Sequence, residues 1–151
     1  MGTIITAATI MATYVSAIND ANTPYFYNAE IENDQIKTMY VLENDGETLQ
    51  QKIEYDYKYD AQGRLTCKEA KRFNVVSGKF VPDFKLNYTY TTDGYYMERC
   101  NWNESKNDYD AATDRIEYKN ESENTIGIVN YEWNDRLSKM IVKDTKILKV
   151  I

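Results

Sequence analysis

Two sets of side chains in this sequence have the types and spacing to do chemistry, and they alternate along the same segments. The carboxylates Glu54, Glu69, Asp83 and Glu98 could supply the pair of acids that glycoside hydrolysis requires at a set separation. The aromatic residues Tyr55, Tyr57, Tyr59, Tyr88, Tyr90, Tyr96 and Trp102 could form a stripe on which sugar rings or an extended peptide stack. Their plainer reading is core, because exposed apolar patches of that size are uncommon on monomers. Lys and Arg interleave with the acids, so ordinary cross-strand pairing also accounts for the carboxylates. Glu69, Lys71 and Glu98 interrupt an otherwise apolar face. Either that face is partly open to solvent, or these groups pair within a cleft.

The missing residue types narrow the chemistry further. There is no histidine, which removes Ser-His-Asp and Cys-His activation of a nucleophile. The usual catalytic zinc sites and the two-His-one-carboxylate iron site go with it. The acidic stretch Asp108–Asp114 offers oxygen ligands, but it lacks the glycine and bidentate glutamate of an EF-hand loop and reads as solvated acids. No metal and no cofactor is expected. A net charge of −6 with no basic run disfavours nucleic acid, whose phosphates need a basic stripe, and also an anionic membrane surface.

The elements that must position these groups are strands. A phrase of cation, aliphatic, Glu or Asn, tyrosine recurs as Lys52–Tyr55, Lys85–Tyr88 and Arg115–Tyr118, at a spacing of about 30 residues that marks one repeated supersecondary unit. Aromatic–Asn pairs follow at Phe73-Asn74, Trp102-Asn103 and Trp133-Asn134. Apolar and polar residues alternate inside each unit, as in a β-hairpin. With 14 Tyr against 4 Phe and 2 Trp, phenol rings must supply core bulk, and a thin, half-wet core is expected. The fold class expected is all-β: an antiparallel meander of about eight Tyr-rich hairpin strands, curled into an open barrel or packed as a sandwich. Strands are expected at Ile36–Glu43, Thr48–Tyr59, Leu65–Asn74, Phe80–Thr91, Arg115–Tyr118, Ile126–Trp133, Leu137–Val142 and Lys146–Ile151, with Tyr96–Trp102 facing the Phe80–Thr91 strand and Glu104–Asp114 as the longest loop.

Turn chemistry predicts the register. Asp60-Ala61-Gln62-Gly63-Arg64 suits a type I turn closed by a left-handed Gly bulge, which sets Asp60 against Arg64, Tyr59 against Leu65 and Tyr57 against Cys67. Thr92-Asp93-Gly94 read the same way sets Tyr90 against Tyr96, Tyr88 against Glu98, Leu86 against Cys100 and Phe84 against Trp102. Cys67 and Cys100 then lie two strand spacings apart, roughly 9–10 Å, beyond the roughly 7 Å Cα limit for a disulfide. Two unbridged thiols are expected.

Residues 1–17 read as a signal peptide. Gly2 to Ala17 carry no charge, Ile4 to Val15 has the length of a leader's apolar region, and Val15-Ser16-Ala17 supplies small residues for cleavage. No Lys or Arg precedes the apolar run, and a buried N-terminal strand or helix is the alternative. Residues 18–35 are expected to be an N-terminal extended segment and residues 36–151 a single domain of repeated hairpins. The mature protein would be secreted or periplasmic, with no membrane insertion after cleavage.

The segment Tyr57–Thr66 resembles the tyrosine–aspartate (YD) repeat of the Rhs proteins: tyrosine, Asp, two variable residues, Gly, then Arg-Leu. Tyr88–Gly94 keeps the start of that motif and lacks the Arg-Leu. The whole pattern, from Tyr57–Leu65 through Tyr88-Thr89-Tyr90 to the two Trp-Asn pairs, resembles a family of small secreted Bacteroidetes proteins of unknown function, over roughly residues 36 to 143 plus the leader. The resemblance implies an exported all-β protein and brings no activity or functional residue with it.

From the residues themselves, the expectation is a non-enzymatic secreted module. It would bind an extracellular glycan, peptide or protein surface through Tyr57, Tyr59, Tyr88, Tyr90, Tyr96 and Trp102. The alternatives are an extracellular polysaccharide hydrolase with paired carboxylates and a self-associating structural protein whose sheet edges pair between copies.

Overall fold

The computed structural model describes residues 5–20 and 22–149. It divides into two units, Ile5–Asp83 and the part that starts at Phe84.

In the first unit, strands β1 (Tyr25–Glu32), β2 (Gln35–Asn44), β3 (Leu49–Tyr59) and β4 (Leu65–Asn74) form an antiparallel meander in chain order. The segment before Asn33, expected only to be extended, therefore supplies a full strand. Its turn explains the pairing: Asn33 and Asp34 both take positive φ (52° and 60°), as a two-residue hairpin loop with the correct twist requires. The β3–β4 hairpin has the expected geometry. Gly63 is left-handed (φ 77°), Asp60 and Arg64 join by backbone and side chain, and Tyr59 stands opposite Leu65. A shift between Lys58 and Tyr59 corrects the next pair, so that Tyr57 faces Lys68 and Cys67 faces Lys58.

Helix α1 (Ala7–Ile18) precedes β1, and no residue in it is buried. Thr6 caps it by exchanging bonds with Thr9 at 3.3 and 3.4 Å, the capping-box arrangement that satisfies two orphan N–H groups. Its start is tied to the β3–β4 hairpin, where the Leu65 N–H donates to the Ile5 carbonyl and the Ala7 N–H to the Gly63 carbonyl. The buried residues of this unit are Ile36, Met39, Val41, Tyr57, Leu65 and Ala70. Tyr55 stands opposite both Met39 and Ala70, so one side of β2, β3 and β4 carries most of this core.

The second unit begins within β5 (Lys79–Thr91) and continues through β6 (Gly94–Asn103), β7 (Asp108–Tyr109), β8 (Asp114–Ser122), β9 (Thr125–Asn134) and β10 (Lys139–Lys149). The order is β5-β6-β8-β9-β10, with β7 paired to β6 inside the segment expected to be the longest loop. The two expected strands after Leu137 are one: a bulge between Val142 and Asp144 lets β10 stay paired to β9 throughout. Ile151 lies outside the described residues. The described residues thus hold ten strands where about eight were expected. β1 ends the first unit and β10 the second as unpaired edges, so neither unit closes on itself as a barrel.

The register of β5–β6 differs from expectation by one residue. Thr91 pairs with Gly94, leaving a two-residue Thr92-Asp93 turn, and Tyr90 faces Tyr95, Tyr88 faces Met97, Leu86 faces Arg99 and Phe84 faces Asn101. Gly94 does not take positive φ and makes no bulge. A Cβ there would run into the carbonyl oxygen of Tyr118 on β8, so this glycine permits close strand approach and does not shape the turn. A one-residue slip moves every β6 side chain to the other side of the sheet. The core of this unit is thin: Tyr95 is buried on one side and Cys100 on the other.

Candidate functional site

The expected tyrosine platform separates into distinct environments. In the first unit, Tyr57 is only 5% exposed and lies beside Tyr55, with ring centroids 6.4 Å apart. Tyr59 is half-buried and its hydroxyl donates to the Ile36 carbonyl at 2.8 Å; burial pushes that phenol up to about 12. In the second unit, Tyr88 and Tyr90 pack around Tyr95, which stacks on Tyr118 at 4.7 Å. Tyr96 and Trp102 lie on the reverse of that sheet, Tyr96 beneath the Arg115 guanidinium (4.8 Å) and Trp102 edge-on to Tyr109 (5.0 Å). The structure brings Tyr88 and Tyr90 together and holds Tyr96 and Trp102 apart from them.

The carboxylates are engaged. Lys71 on β4 faces Glu54 on β3, and its Nζ reaches Asp56 at 2.9 Å, Glu54 at 3.3 Å and Glu69 at 3.4 Å. The Thr38 hydroxyl adds a bond to Asp56 at 2.9 Å. Burial and the adjacent Asp56 carboxylate raise the Glu54 acid. The bonds from Lys71 and Thr38 outweigh burial at Asp56 and lower it. Lys71 is held protonated far above its ordinary range, mainly by Asp56. Glu98 pairs with Arg115 at 3.0 Å in the second unit, and Asp83 is exposed. Of the acidic loop, Asp110 is occupied by Lys106 and Asn103, whose bonds lower it. These are pairing networks: each candidate acid apart from Asp83 and each loop acid named here faces a cation or an amide donor.

One concavity was not among the expected residues. On the side of the second unit that carries Leu86, Met97 and Ile116, an open groove of about 570 Å³ has those three and Phe84 as its apolar lining, a size within the roughly 300–1,000 Å³ of small-ligand sites. The Arg99 guanidinium lies 3.9 Å over the Phe84 ring and donates to Asn101 at 2.9 Å. Asp114, Asn130, Tyr131, Lys143 and Asp144 complete the wall, with the Asn130 amide bonded to Asp144 at 2.6 Å. The Arg115 guanidinium points to the reverse of the sheet, over Tyr96 and paired with Glu98. That leaves Arg99 and Lys143 balanced by Asp114 and Asp144.

A model of the family described as "Family of unknown function (DUF3836)" matches residues 2–120 of this sequence. The chain belongs to the DUF3836 family. Three solved structures are similar to it. A Bacteroides fragilis protein of unknown function superposes with a TM-score of 0.73 at 18% identity, covering 84% of this chain and 94% of its own. DUF3836 proteins from Bacteroides vulgatus and Parabacteroides distasonis give TM-scores of 0.45 and 0.44 at 19% and 17% identity, covering 83% of this chain and 99% and 89% of theirs. No curated protein matches. The first of these likenesses bears on the fold, and it agrees with the antiparallel strand architecture seen in this DUF3836 chain.

Two features of this family member escaped sequence reasoning. The groove lining was hidden by the one-residue register error, which put Leu86 against Cys100 instead of Arg99. Lys68 looked like an ordinary strand cation, yet its Nζ lies 4.2 Å over the Tyr55 ring and burial lowers its pKa. Its place opposite Tyr57 follows from the register shift between Lys58 and Tyr59, which the sequence reading did not contain.

Proposed function

We propose that this chain is a secreted, non-enzymatic binding module that takes a neutral, polyhydroxylated ligand, a short glycan segment, in the groove of its second unit. The observation that carries this reading is the groove's lining: an apolar floor of Leu86, Met97 and Ile116 beneath planar amide, carboxylate and guanidinium groups of balanced charge. A sugar ring offers the complement, with C–H groups on its face and hydroxyls at its rim. Balanced rim charge favours a neutral ligand over an anionic or cationic one. The engagement of Glu54, Glu69 and Glu98 with Lys71 and Arg115 supports binding over carboxylate hydrolysis.

Export follows the leader reading, with cleavage after Ala17 leaving Ile18 as the first mature residue. The described residues contain no helix long and apolar enough to cross a membrane. N-terminal sequencing of the exported protein tests the leader. A glycan array followed by calorimetry tests the ligand: Met97→Lys and Arg99→Ala should weaken binding at least tenfold, while Tyr96→Ala, on the reverse of the sheet, should leave it unchanged. Equal loss in Tyr96→Ala, or no glycan bound, would overturn the assignment.

A further inference from the structure

The two end strands leave opposite charge on two unpaired sheet edges. Among the described residues β1 pairs only with β2 and β10 only with β9, so each keeps one row of backbone N–H and C=O groups with no strand beside it. β1 carries Glu30 and Glu32 and no cation, whereas β10 carries four lysines, from Lys139 to Lys149, against the one acid Asp144. Both edges also show apolar side chains to solvent, with Ile31 53% and Ile147 69% exposed.

We infer that β1 of one copy docks along β10 of a second copy, a heterologous contact that extends the sheet from molecule to molecule. The partner follows from charge. Pairing β1 with β1 brings two acidic strands together with no cation to meet them, and pairing β10 with β10 brings two lysine-rich strands together, both electrostatically unfavourable. Only β1 against β10 neutralises the two rows while satisfying both sets of backbone groups. Lysines and a bulge on an edge strand normally block association; here the same lysines reject a second β10 and accept the acidic strand. Because the two surfaces differ, each docked copy still presents a free β10 or β1, and association continues past the dimer. This contact does not depend on the groove or its ligand.

Sedimentation velocity on the full chain over a concentration series tests it. At low ionic strength the weight-average mass should rise severalfold with concentration, and about 0.5 M salt should suppress the rise, since screening shortens the reach of exposed charges. Glu30→Lys/Glu32→Lys and Lys146→Glu/Lys149→Glu should each remain monomeric. Mixing the two variants in equal amounts should restore assembly, first through the unaltered β10 of one against the unaltered β1 of the other and then, past the dimer, through the two swapped edges. Circular dichroism and the urea midpoint confirm that each variant is folded; if the β1 pair is not, Glu32→Lys alone takes its place. A wild-type chain that stays monomeric at low salt would overturn the inference. So would assembly that persists in either folded variant, or a mixture of folded variants that stays monomeric.

Discussion

Gly94 and Tyr118 sit in contact across β6 and β8, with the Tyr118 carbonyl occupying the place where a Cβ on residue 94 would stand. The obstacle is backbone within a paired strand, so it cannot rotate away. Gly94→Ala must therefore push the strands apart, at a cost of about 1–3 kcal/mol, typical of overpacking. Gly127 is the contrast. A Cβ there meets first the side chain of Glu121, its Oε1 at 2.7 Å and its Cγ at 3.2 Å, and that flexible side chain can swing aside. Gly127→Ala should change the urea midpoint little, and the two denaturation curves side by side check the pair.

Lys71 holds three carboxylates that would otherwise repel one another. Lys71→Met should cost about 1–2 kcal/mol at neutral pH, less than a fully buried pair because these side chains remain partly solvated. The pH dependence separates this from lost packing. In the wild type Asp56 is lowered, so its contribution is present above its unfolded pKa and lost as pH falls through the folded one. Glu54 is raised, so the folded state binds its proton first and acidification relieves it. Without the lysine, Asp56 loses its main stabilising partner and joins Glu54. The variant should then gain stability on going from neutral pH to the carboxylate range more steeply than the wild type, in which Asp56 opposes the gain from Glu54.

How legible all this was depended on what each glycine does. Gly63 closes a left-handed turn, and the sequence Asp60–Arg64 announces that geometry, so Tyr59 against Leu65 and the Asp60–Arg64 pair came out as expected. Gly94 sits after an equally turn-like Thr92-Asp93, but its lack of a side chain serves a neighbouring strand far along the chain, which no local pattern reveals. The alternation of Phe84, Leu86, Tyr88 and Tyr90 correctly marked a strand. Which residues faced them, and so the groove, hung on that single turn. β1 was missed because its exposed side chains, Tyr25, Phe26 and Ile31 among them, do not alternate in polarity as a half-buried strand's do.

Neither cysteine forms a disulfide; Cys67 is half-buried and Cys100 buried. Burial raises the Cys100 thiol, with only partial relief from Lys85. Since the thiolate is the reactive form, Cys100 should react slowly with a disulfide reagent in the folded protein and Cys67 faster. Both should react at once in denaturant. A thiol count of less than two in denaturant after purification under air would contradict the unbridged state.

Tyr95 tests whether the tyrosine cluster of the second unit is core. It touches Tyr88, Tyr90 and Tyr118 and is 6% exposed. Removing the ring in Tyr95→Ala should cost about 3–5 kcal/mol, the range for deleting a buried aromatic. Tyr95→Phe keeps the stack and should cost no more than about 1 kcal/mol, the scale of one hydrogen bond. Similar losses in both variants, measured by urea unfolding, would place the stabilisation in the hydroxyl and not in the ring.

Tyr59 predicts how the fold fails in alkali. Its phenol is pushed from 10 up to about 12 by burial, and its hydroxyl donates to the Ile36 carbonyl, a bond that only the protonated form can make. A folded-state pKa above the unfolded value means that the native state keeps its proton while the unfolded chain releases it. The stabilisation tied to Tyr59 is therefore fully present below about pH 10 and is lost as pH rises from there through about 12. Tyr59→Phe removes the titrating group together with the bond, at a cost of about 1 kcal/mol at neutral pH. Its stability should then decline less steeply than that of the wild type above pH 10. Urea midpoints for both proteins across that range decide the matter: parallel curves would mean that Tyr59 ionises in the folded state as readily as in the unfolded chain.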